Sequence, residues 1–390
     1  MARSHKIIYD AAPIGSIETL AKILETSTSR LSKISKSNDD FYTVFEKQVK
    51  LKLRELAEPK SELKILQKRI IARIFCHLKF PDYLHGGIKS QIPKDFLSNA
   101  TVHAKAETAV TVDIKSFYPS ITFTQVLHVF QLLFKFPPAV ADTLARITTF
   151  KGAVPQGAPT SSYIANLVMW EKEYSLASKF EQQGYVYSRL IDDITVSNDK
   201  PIPADTATKI VTQLAKMLSA YNYQIHPKKT NIYSKSNPEK LMCITGLWLN
   251  RGTPRLEKEK RNKISHAVVD LLEKAKSDKT SEKYHNQFNS ISGQVALLQR
   301  LEHKEACRLR SILNGIQPIY DDAKIAKIQN IILKFSKRSL EKTKLGYIQK
   351  YYQMQFEVSI IKRTNPRLAR KLQDVLNKKR PTTTMKSHYE

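Results

Sequence analysis

The chain has 390 residues, and 41% of them are hydrophobic, which is enough to bury a core and excludes a disordered chain. Its formal net charge of +28 favours a polyanionic partner, either nucleic acid or an acidic membrane surface. Because no apolar stretch has transmembrane length and no signal-type segment follows the N-terminus, we expect a cytoplasmic protein that binds nucleic acid and no membrane.

Helices are predicted near the N-terminus. Residues 14–35 have the apolar spacing of an amphipathic helix, with Ser16 as a suitable N-cap. After Pro59, residues 63–75 carry apolar side chains three and four positions apart and predict a second helix. The first helix is expected to serve only for docking.

Between these helices a strand is predicted over residues 49–56. Its alternation places Lys50, Lys52 and Arg54 on one face. Three cations in register are costly unless an anion lies opposite, and a nucleoside triphosphate would supply that anion. An exposed cationic edge strand that prevents aggregation fits the same pattern, so the strand by itself leaves both interpretations open.

A single acidic side chain, Asp113, lies in a run of β-forming residues over 109–114. The strand is predicted to run on to an aromatic-Pro-Ser turn that breaks it at Pro119. Tyr118 would then lie near the end of the strand, with Phe117 on the opposite face.

A turn-rich loop over residues 151–162 precedes an apolar helix predicted from Tyr163 to about Ala177. Pro, Gly and Ser ahead of a helix let the backbone approach a ligand, and the helix N-terminus favours anions. Any tight turn can have this composition, so the loop alone does not identify a site. Upstream of it, residues 124–149 are predicted to be helical apart from a break at Pro137 and Pro138.

Residues 185–197 are typical of a β-hairpin with Asp192 and Asp193 at its tip. Adjacent carboxylates repel, so a fold that brings in a third one is strained unless it holds a divalent cation. Asp113 is the candidate third carboxylate. Such a set suits a two-metal nucleotidyl transferase, since metal ions bridged by carboxylates hold the attacking hydroxyl and the leaving pyrophosphate. Asp is also common in turns, so a structural role for the pair is the alternative.

The rest of the chain is increasingly helical and basic. A helix is predicted over 204–220, a strand over 231–233, a hairpin over 242–252, and helices from residue 254 onward, with breaks near Gly315, Pro318 and Pro366. Residues 251–390 contain 31 lysines and arginines against 14 aspartates and glutamates, a net charge of +17. Within them, residues 334–380 contain 14 basic residues against 3 acidic ones. A solvated helix face usually mixes both signs, so this excess predicts contact with a phosphate backbone.

Taken in order, these segments resemble the motifs of the reverse transcriptase palm, and within that family the bacterial retron-type group. The matching segments are Asp113 with Phe117-Tyr118-Pro119-Ser120, then Pro155-Gln156-Gly157, Leu190-Ile191-Asp192-Asp193, His226-Pro227-Lys228-Lys229-Thr230 and Gly246-Leu247. Segments around Arg54 and Leu63 resemble the fingers motifs. Several motifs in one order over roughly 140 residues are a specific signal.

Further matches narrow the group to retron enzymes. Asn99 and His103 match their Asn-Ala-x-x-His element, and Gly246 ends a segment that is similar to their Val-Thr-Gly triplet. One departure is that Leu190 stands where the family usually has Tyr, and Ile191 where it has a small residue. Because that Tyr contacts the primer, the departure implies altered processivity or primer choice.

The resemblance implies an α+β fold of the right-hand polymerase type, with fingers, a palm built on an antiparallel sheet, and a helical thumb. The implied divisions are an N-terminal helical extension (1–40), fingers (41–105), a palm (106–240) with a fingers insertion around 124–160, a primer-grip hairpin (241–253), and a basic helical thumb and C-terminal region (254–390). The resemblance is weakest in the thumb.

The resemblance also implies roles for individual residues. Asp113, Asp192 and Asp193 would bind the metals and be catalytic, with Asp193 the least secure because successive strand residues point apart. The nucleotide-binding residues would be Lys52 and Arg54 at the triphosphate, Tyr118 at the 2′ position of the sugar, Gln156 at the ribose, and Lys229, or else Lys228, at the leaving pyrophosphate. The thumb residues expected to contact nucleic acid are Lys362, Arg363, Arg367, Arg370 and Lys371.

The implied function is an RNA-directed DNA polymerase that uses two Mg²⁺ ions, with Mn²⁺ as an alternative, and acts on a dedicated small RNA in bacterial anti-phage defence. The implied partners are a cognate non-coding RNA as template and primer, deoxynucleoside triphosphates, the DNA product, and an effector or partner protein. One alternative is a polymerase of the same fold without a conventional template or primer, which Leu190 keeps open. The other is an inactive RNA-binding scaffold, against which the intact carboxylates argue because clustered charges are costly to keep.

Overall fold

The computed structural model describes residues 6–49, 52–237, 239–337, 341–387 and 389, and the side chains of Val49, Lys52 and Arg54 lie outside this description. The chain forms two compact units that are divided between Arg255 and Leu256. The first unit contains both strands and helices, whereas the described part of the second is helical. The predicted thumb begins at residue 254, close to this division.

The first unit alternates strands with short helices. Its strands are β1 (Ile8–Tyr9), β2 (Tyr42–Val49), β3 (Lys52–Pro59), β4 (Leu78–Lys79), β5 (Leu84–His85), β6 (Thr108–Asp113), β7 (Val186–Leu190), β8 (Asp193–Asn198), β9 (Asn231–Ser234), β10 (Cys243–Ile244) and β11 (Leu247–Trp248). Its helices are α1 (Ile17–Ile23), α2 (Thr28–Lys36), α3 (Ser61–Arg73), α4 (Phe96–Val102), α5 (Phe117–Ser120), α6 (Phe123–His128), α7 (Pro138–Thr148), α8 (Ser161–Leu167), α9 (Glu173–Gln182) and α10 (Ala204–Ser219).

A sheet with the strand order β5-β7-β8-β6-β9 forms the centre of the first unit. β7 and β8 form the predicted acidic hairpin, β6 pairs antiparallel with both β8 and β9, and β5 runs parallel to β7. Val110, Val112, Ile194 and Val196 are buried in this sheet, as expected for β-branched residues on a covered pleated surface. The sheet therefore provides a rigid base for the side chains at its strand ends.

Two long helices predicted in the first unit are each divided. Residues 14–35 form α1 and α2, because the chain turns at Glu25 with φ +46, a conformation that a right-handed helix cannot include. Ser16 caps α1 as predicted, with its Oγ accepting a hydrogen bond from the Thr19 N–H (3.2 Å). The helix predicted from Tyr163 to Ala177 is α8 followed by α9, with turns between them.

The single strand predicted over residues 49–56 was wrong. β2 and β3 instead form an antiparallel hairpin in which Val49 is paired with Lys52. Lys50 lies outside the described residues. The shared face proposed for Lys52 and Arg54 stays a prediction, because only the backbone of these two residues is described.

Tyr118 does not lie at the end of a strand, and that prediction was also wrong. β6 ends at Asp113, and after Ser116, which has φ +48, the chain forms the short helix α5. Pro119 lies in the first turn of α5, where its missing N–H costs no helical hydrogen bond, so the segment continues as a helical turn. Phe117 is buried and Tyr118 is half-buried.

The second unit is built from helices. They are α11 (Lys258–Ser277), α12 (Glu282–Arg300), α13 (Ala306–Gly315), α14 (Asp322–Lys337), α15 (Leu345–Ile361) and α16 (Pro366–Asn377). As predicted, α13 ends at Gly315 and α16 begins with Pro366, whose fixed φ suits the first helical position. Across the described parts of both units, no helix combines the length and the apolar character needed to cross a membrane.

Candidate active site

Asp113, Asp192 and Asp193 come together at one end of the central sheet. Asp113 ends β6 and Asp193 begins β8, and the two residues are directly paired across the antiparallel ladder. Asp192 lies in the turn between β7 and β8, and its carbonyl accepts a hydrogen bond from the Ile114 N–H (2.9 Å). The structure thus gathers the three carboxylates that the sequence singled out.

The charges of these carboxylates oppose one another. Burial, and after it the carboxylates of Asp192 and Asp113, raise the pKa of Asp193 to about 7, while Lys229 opposes this shift. The ammonium of Lys229 donates a hydrogen bond to Oδ1 of Asp113, which is itself only 6% exposed. Lys229 therefore supplies positive charge at a cluster that carries an excess of negative charge.

The donor set suits a hard divalent cation, because carboxylate oxygens are the ligands that Mg²⁺ prefers. As they stand, no three Asp, Glu, His or Cys side chains in the described residues are arranged to hold a metal ion. The Lys229 ammonium is bonded to Asp113 instead. The residues fit a divalent cation in their chemistry, because its charge would relieve the repulsion among the carboxylates, which adds to the effect of burial in raising the pKa of Asp193.

The turn that carries Asp192 has an unusual backbone. Ile191 has φ +59, in the left-handed region that β-branched residues rarely adopt. The carbonyl of Ile191 accepts a hydrogen bond from Nη1 of Arg189 (3.0 Å). The turn is therefore held by a buried side chain as well as by the ladder between β7 and β8.

Arg189 and Glu173 form an ion pair beside this turn, and both side chains are fully buried. The guanidinium donates to both carboxylate oxygens of Glu173 (2.5 and 2.8 Å) and to the carbonyls of Ala165 and Asn166 (3.2 Å each). The Tyr187 hydroxyl also donates to Glu173 (2.8 Å). Sequence reasoning missed this pair, although an arginine within the otherwise buried part of β7 was an available signal.

Tyr118 lies within electrostatic range of the aspartates. Burial, and after it the carboxylate of Asp192, raise the pKa of the Tyr118 hydroxyl to about 12. Phe117 packs edge-on against Tyr223 with 5.2 Å between ring centroids, so it belongs to the core. The two adjacent aromatic residues therefore have different surroundings, and Tyr118 is the one near the carboxylates.

The loop that carries Gln156 packs against β3. The carbonyl of Gln156 accepts a hydrogen bond from the Ala57 N–H (2.9 Å). Gly157 has φ +118, and a Cβ at that position would lie 3.2 Å from the Ala57 carbonyl oxygen, so the close approach favours glycine. The backbone thus places this loop beside the strand that carries Lys52 and Arg54, whose contacts stay predictions.

His103 connects α4 to both strands of the acidic hairpin. Its Nδ1 lies 2.7 Å from Oγ of Ser197, and its Nε2 lies 2.6 Å from Oγ of Ser188. Burial lowers the pKa of His103 to about 3, so the imidazole is neutral at physiological pH. Asn99, one helical turn earlier, is also fully buried. These residues are part of the packing around the hairpin.

Gly246 lies in the turn between β10 and β11. It has φ +84, which glycine adopts without strain, and Thr245 before it has φ +48. Oγ1 of Thr245 donates a hydrogen bond to the Phe96 carbonyl at the start of α4 (2.8 Å). The segment with Gly246 is therefore bonded to the start of the helix that carries Asn99, which their spacing in the sequence did not indicate.

The basic residues predicted to contact nucleic acid in the second unit lie at the end of α15 and on α16. Lys362, Arg367, Arg370 and Lys371 are exposed. Arg363 instead donates to the Pro318 carbonyl (2.5 Å), and burial lowers the pKa of its guanidinium. Arg363 therefore has a structural contact within its own unit.

Comparison with known proteins gives consistent matches. Residues 35–266 match the family described as reverse transcriptase (RNA-dependent DNA polymerase). The chain is 35% identical to the retron Se72 reverse transcriptase of Salmonella heidelberg (strain 579083-10), over 93% of this chain and 95% of that one. It is 30% identical to the retron Ec48 reverse transcriptase of Escherichia coli, over 90% of this chain and 89% of that protein. A telomerase structure from Candida albicans aligns with 96% of this chain and 71% of its own, at a TM-score of 0.40 and 10% identity, which is too weak to carry an argument.

Proposed function

Because this chain belongs to the reverse transcriptase family, we propose that it copies one dedicated small RNA into DNA as part of a bacterial anti-phage defence system. It is an RNA-directed DNA polymerase, which is a nucleotidyltransferase, and it has the right-hand fold of that family. The similarity to retron reverse transcriptases over almost the whole chain supports the retron type. The observation that carries the assignment of the site is the pairing of Asp113 with Asp193, with Asp192 in the adjoining turn.

Asp113, Asp192 and Asp193 are the proposed ligands of two Mg²⁺ ions, with Mn²⁺ as an alternative. Bound ions of this kind polarise the transferring phosphoryl group and favour ionisation of the attacking hydroxyl. Lys229 would give up its bond to Asp113 and bind the leaving pyrophosphate, because phosphate oxygens accept charge-assisted hydrogen bonds as carboxylates do. The fit rests on the unfavourable charge interactions within the cluster.

The incoming deoxynucleoside triphosphate would bind beside β3, α5 and the loop that carries Gln156. Lys52 and Arg54 would hold its phosphates, since Arg offers a two-pronged donor and Lys a compact positive charge. Gln156 would contact the ribose. The hydrogen bond from Ala57 to the Gln156 carbonyl supports this arrangement, because it joins the strand of the two cations to the loop.

Replacing Tyr118 with Ala should allow the enzyme to incorporate ribonucleotides while it still incorporates deoxynucleotides. An aromatic ring beside the sugar excludes a 2′-hydroxyl by its size, so removal of the ring removes the exclusion. Incorporation of each nucleotide class by the purified variant measures the effect, and Tyr118→Phe is the matched control because it keeps the ring. If Tyr118 is a core residue instead, the alanine variant would lose about 3–5 kcal/mol of stability and both activities together.

The surface of α16 is the proposed contact for the RNA backbone. Arg367, Arg370 and Lys371 project from this helix and are exposed. Exposed cations that meet phosphates release counterions on binding, which makes the affinity fall as salt rises. RNA template binding is expected of the family, and α16 would add sequence-independent affinity.

Charge reversal of Arg367, Arg370 and Lys371 to Glu should weaken RNA binding and flatten its salt dependence. Each phosphate contact contributes about −0.7 to −0.9 to the slope of log affinity against log salt, so the loss of three contacts is measurable by titration at several salt concentrations. The matched control reverses the exposed Lys22, Lys33 and Lys36 on α1 and α2. Equal slopes for the two triple variants would contradict the assignment of α16.

A second candidate is a polymerase that works without a conventional template, and the observation that favours it is Leu190 in place of the usual Tyr. Homopolymer templates separate the two functions. An enzyme that copies RNA should incorporate only the nucleotide complementary to the homopolymer, because pairing selects it. Equal incorporation on every template would favour the second candidate. Sequencing the RNA that co-purifies with the protein, and the DNA it makes, tests whether one small RNA is the dedicated template.

A further inference from the structure

A segment with two consecutive glycines runs beside the tip of the acidic hairpin. Gly86 and Gly87 follow β5, which is parallel to β7 and places His85 opposite Leu190. Both glycines have positive φ values, +77 and +69, which other residues adopt only with strain. The segment therefore enters a conformation that brings its backbone close to the turn before Asp192.

Gly87 lies between the hairpin tip and helix α8. A Cβ at position 87 would lie 2.4 Å from Cβ of Ser162 on α8 and 3.0 Å from Cδ1 of Ile191 at the tip. The Ser162 Cβ is fixed to the helix backbone, so rotation of a side chain does not relieve that contact. Only a hydrogen atom fits here. The separation between α8 and the hairpin tip therefore leaves room for a residue without a side chain.

Gly86 lies against Leu190, the residue before Ile191 in the same hairpin. A Cβ at position 86 would lie 2.5 Å from Cδ1 of Leu190, which is the mobile end of its side chain. Rotation of Leu190 would relieve that contact in part. A methyl group at position 86 is therefore expected to disturb the tip less than one at position 87.

Hydrogen bonds fix the glycine segment to α8. Oγ of Ser162 donates to the Gly87 carbonyl (2.8 Å), and Nδ2 of Asn166 donates to the Gly86 carbonyl (3.0 Å). The N–H of Gly86 donates to the Lys94 carbonyl (2.9 Å). Because the segment is tied to α8, any displacement of Gly87 moves the helix relative to the turn.

The position of α8 matters because the loop that carries Gln156 leads directly into it. Oγ of Ser161, the first residue of α8, donates to the carbonyl of Pro155, next to Gln156 (2.6 Å). Asp192 follows Ile191 immediately. We propose that Gly87 is a positioning residue that sets the distance between the nucleotide-binding loop and the catalytic aspartates, with Gly86 as its neighbour on the Leu190 side. The inference rests on the proposed roles of Gln156 and Asp192.

The test replaces Gly87 with Ala and compares the variant with Gly184→Ala. Gly184 has φ +80 and nothing within 4 Å of an added Cβ, so it reproduces the backbone strain without the contacts. A shift of about 1 Å in an active site costs on the order of 100-fold in rate. We expect kcat of Gly87→Ala to fall by about that factor, with RNA affinity and the circular dichroism spectrum equal to those of the control.

Relief of the contacts separates positioning from a general loss of structure. Ser162→Gly removes the atom at 2.4 Å, and Ile191→Val removes the atom at 3.0 Å. Adding Gly87→Ala to either of these variants should therefore lower kcat by a smaller factor than adding Gly87→Ala to the wild-type protein does. If Gly87→Ala does not fold, Gly86→Ala with and without Leu190→Ala provides the same comparison. Its expected pattern is a smaller loss of kcat, which Leu190→Ala reverses.

Equal kcat values for Gly87→Ala and Gly184→Ala would overturn the inference, and so would a loss that neither second change reverses. If Gly86→Ala is used instead, full activity would overturn the inference in the same way. The assignment of the aspartates has its own test in Asp192→Asn. Loss of synthesis in Asp192→Asn together with full activity in Gly87→Ala would reject only the role of Gly87, whereas synthesis by Asp192→Asn would reject the proposed site itself.

Discussion

Replacing Asp192 with Asn is expected to abolish nucleotide incorporation while the protein keeps its fold. The substitution removes a negatively charged ligand from a site where metal ions would contribute several kcal/mol of transition-state stabilisation, which corresponds to roughly 10³-fold or more in rate. It also removes one of the carboxylates that raise the pKa of Asp193, so folding stability should not fall. Primer extension on an RNA template measures the rate, and thermal unfolding measures stability.

A metal-dependent readout distinguishes loss of a ligand from other causes of inactivity. A ligand that binds only the folded state raises the melting temperature, so Mg²⁺ should stabilise the wild-type protein more than Asp192→Asn. Asp199→Asn is the matched control, because Asp199 is an exposed residue just after β8. It should keep both the activity and the response to Mg²⁺. Near-wild-type synthesis by Asp192→Asn would refute the proposed active site.

Replacing Glu173 with Gln should destabilise the first unit by about 3–5 kcal/mol, since it leaves the fully buried guanidinium of Arg189 without its counter-charge. Glu173 also accepts the hydrogen bond of Tyr187, so the substitution changes the surroundings of a second buried polar group. Urea denaturation measures the free energy of unfolding. Since Arg189 also donates to the Ile191 carbonyl, loss of the pair should lower activity at temperatures where the protein is still folded.

The matched control for Glu173→Gln is Glu239→Gln, the same substitution at an exposed loop position of the first unit. An exposed carboxylate contributes little, so the control should change the free energy of unfolding by less than about 0.5 kcal/mol. A similar change in both variants would show that the buried pair contributes no more than a surface charge.

The class of enzyme was predictable because nucleotide transfer with two metal ions requires clustered carboxylates, and the family was predictable because its motifs occur here in the family's order. The segments that contain Asp113, Gln156 and the Asp192-Asp193 pair resemble the motifs of reverse transcriptases, and the match over residues 35–266 and the retron relatives confirm that family. The hairpin at residues 185–197 was predicted from alternation and is present as β7 and β8. Local patterns succeed here because each strand is specified by its own residues.

Local patterns failed where the chain changes direction against its propensity. The predicted strand over residues 49–56 is a hairpin, since the same alternating residues suit one long strand or two paired ones. Tyr118 was placed at the end of a strand, yet the left-handed conformation of Ser116 starts a helical turn there. The division of the helix around Glu25 has the same cause, a positive φ at a residue other than glycine that no propensity indicates.

The sequence by itself therefore determined the family, the polymerase activity and the carboxylates that are candidates for its metals. Only the tertiary structure decided which groups pack around the acidic hairpin: Arg189 with Glu173, His103 with Ser188 and Ser197, and Gly87 between Ser162 and Ile191. These partners belong to different segments of the chain, and each contact depends on the distance between packed elements. A sequence pattern reports which face of an element is buried, but the choice of partner for a buried charge or a glycine is made only when the elements are packed together.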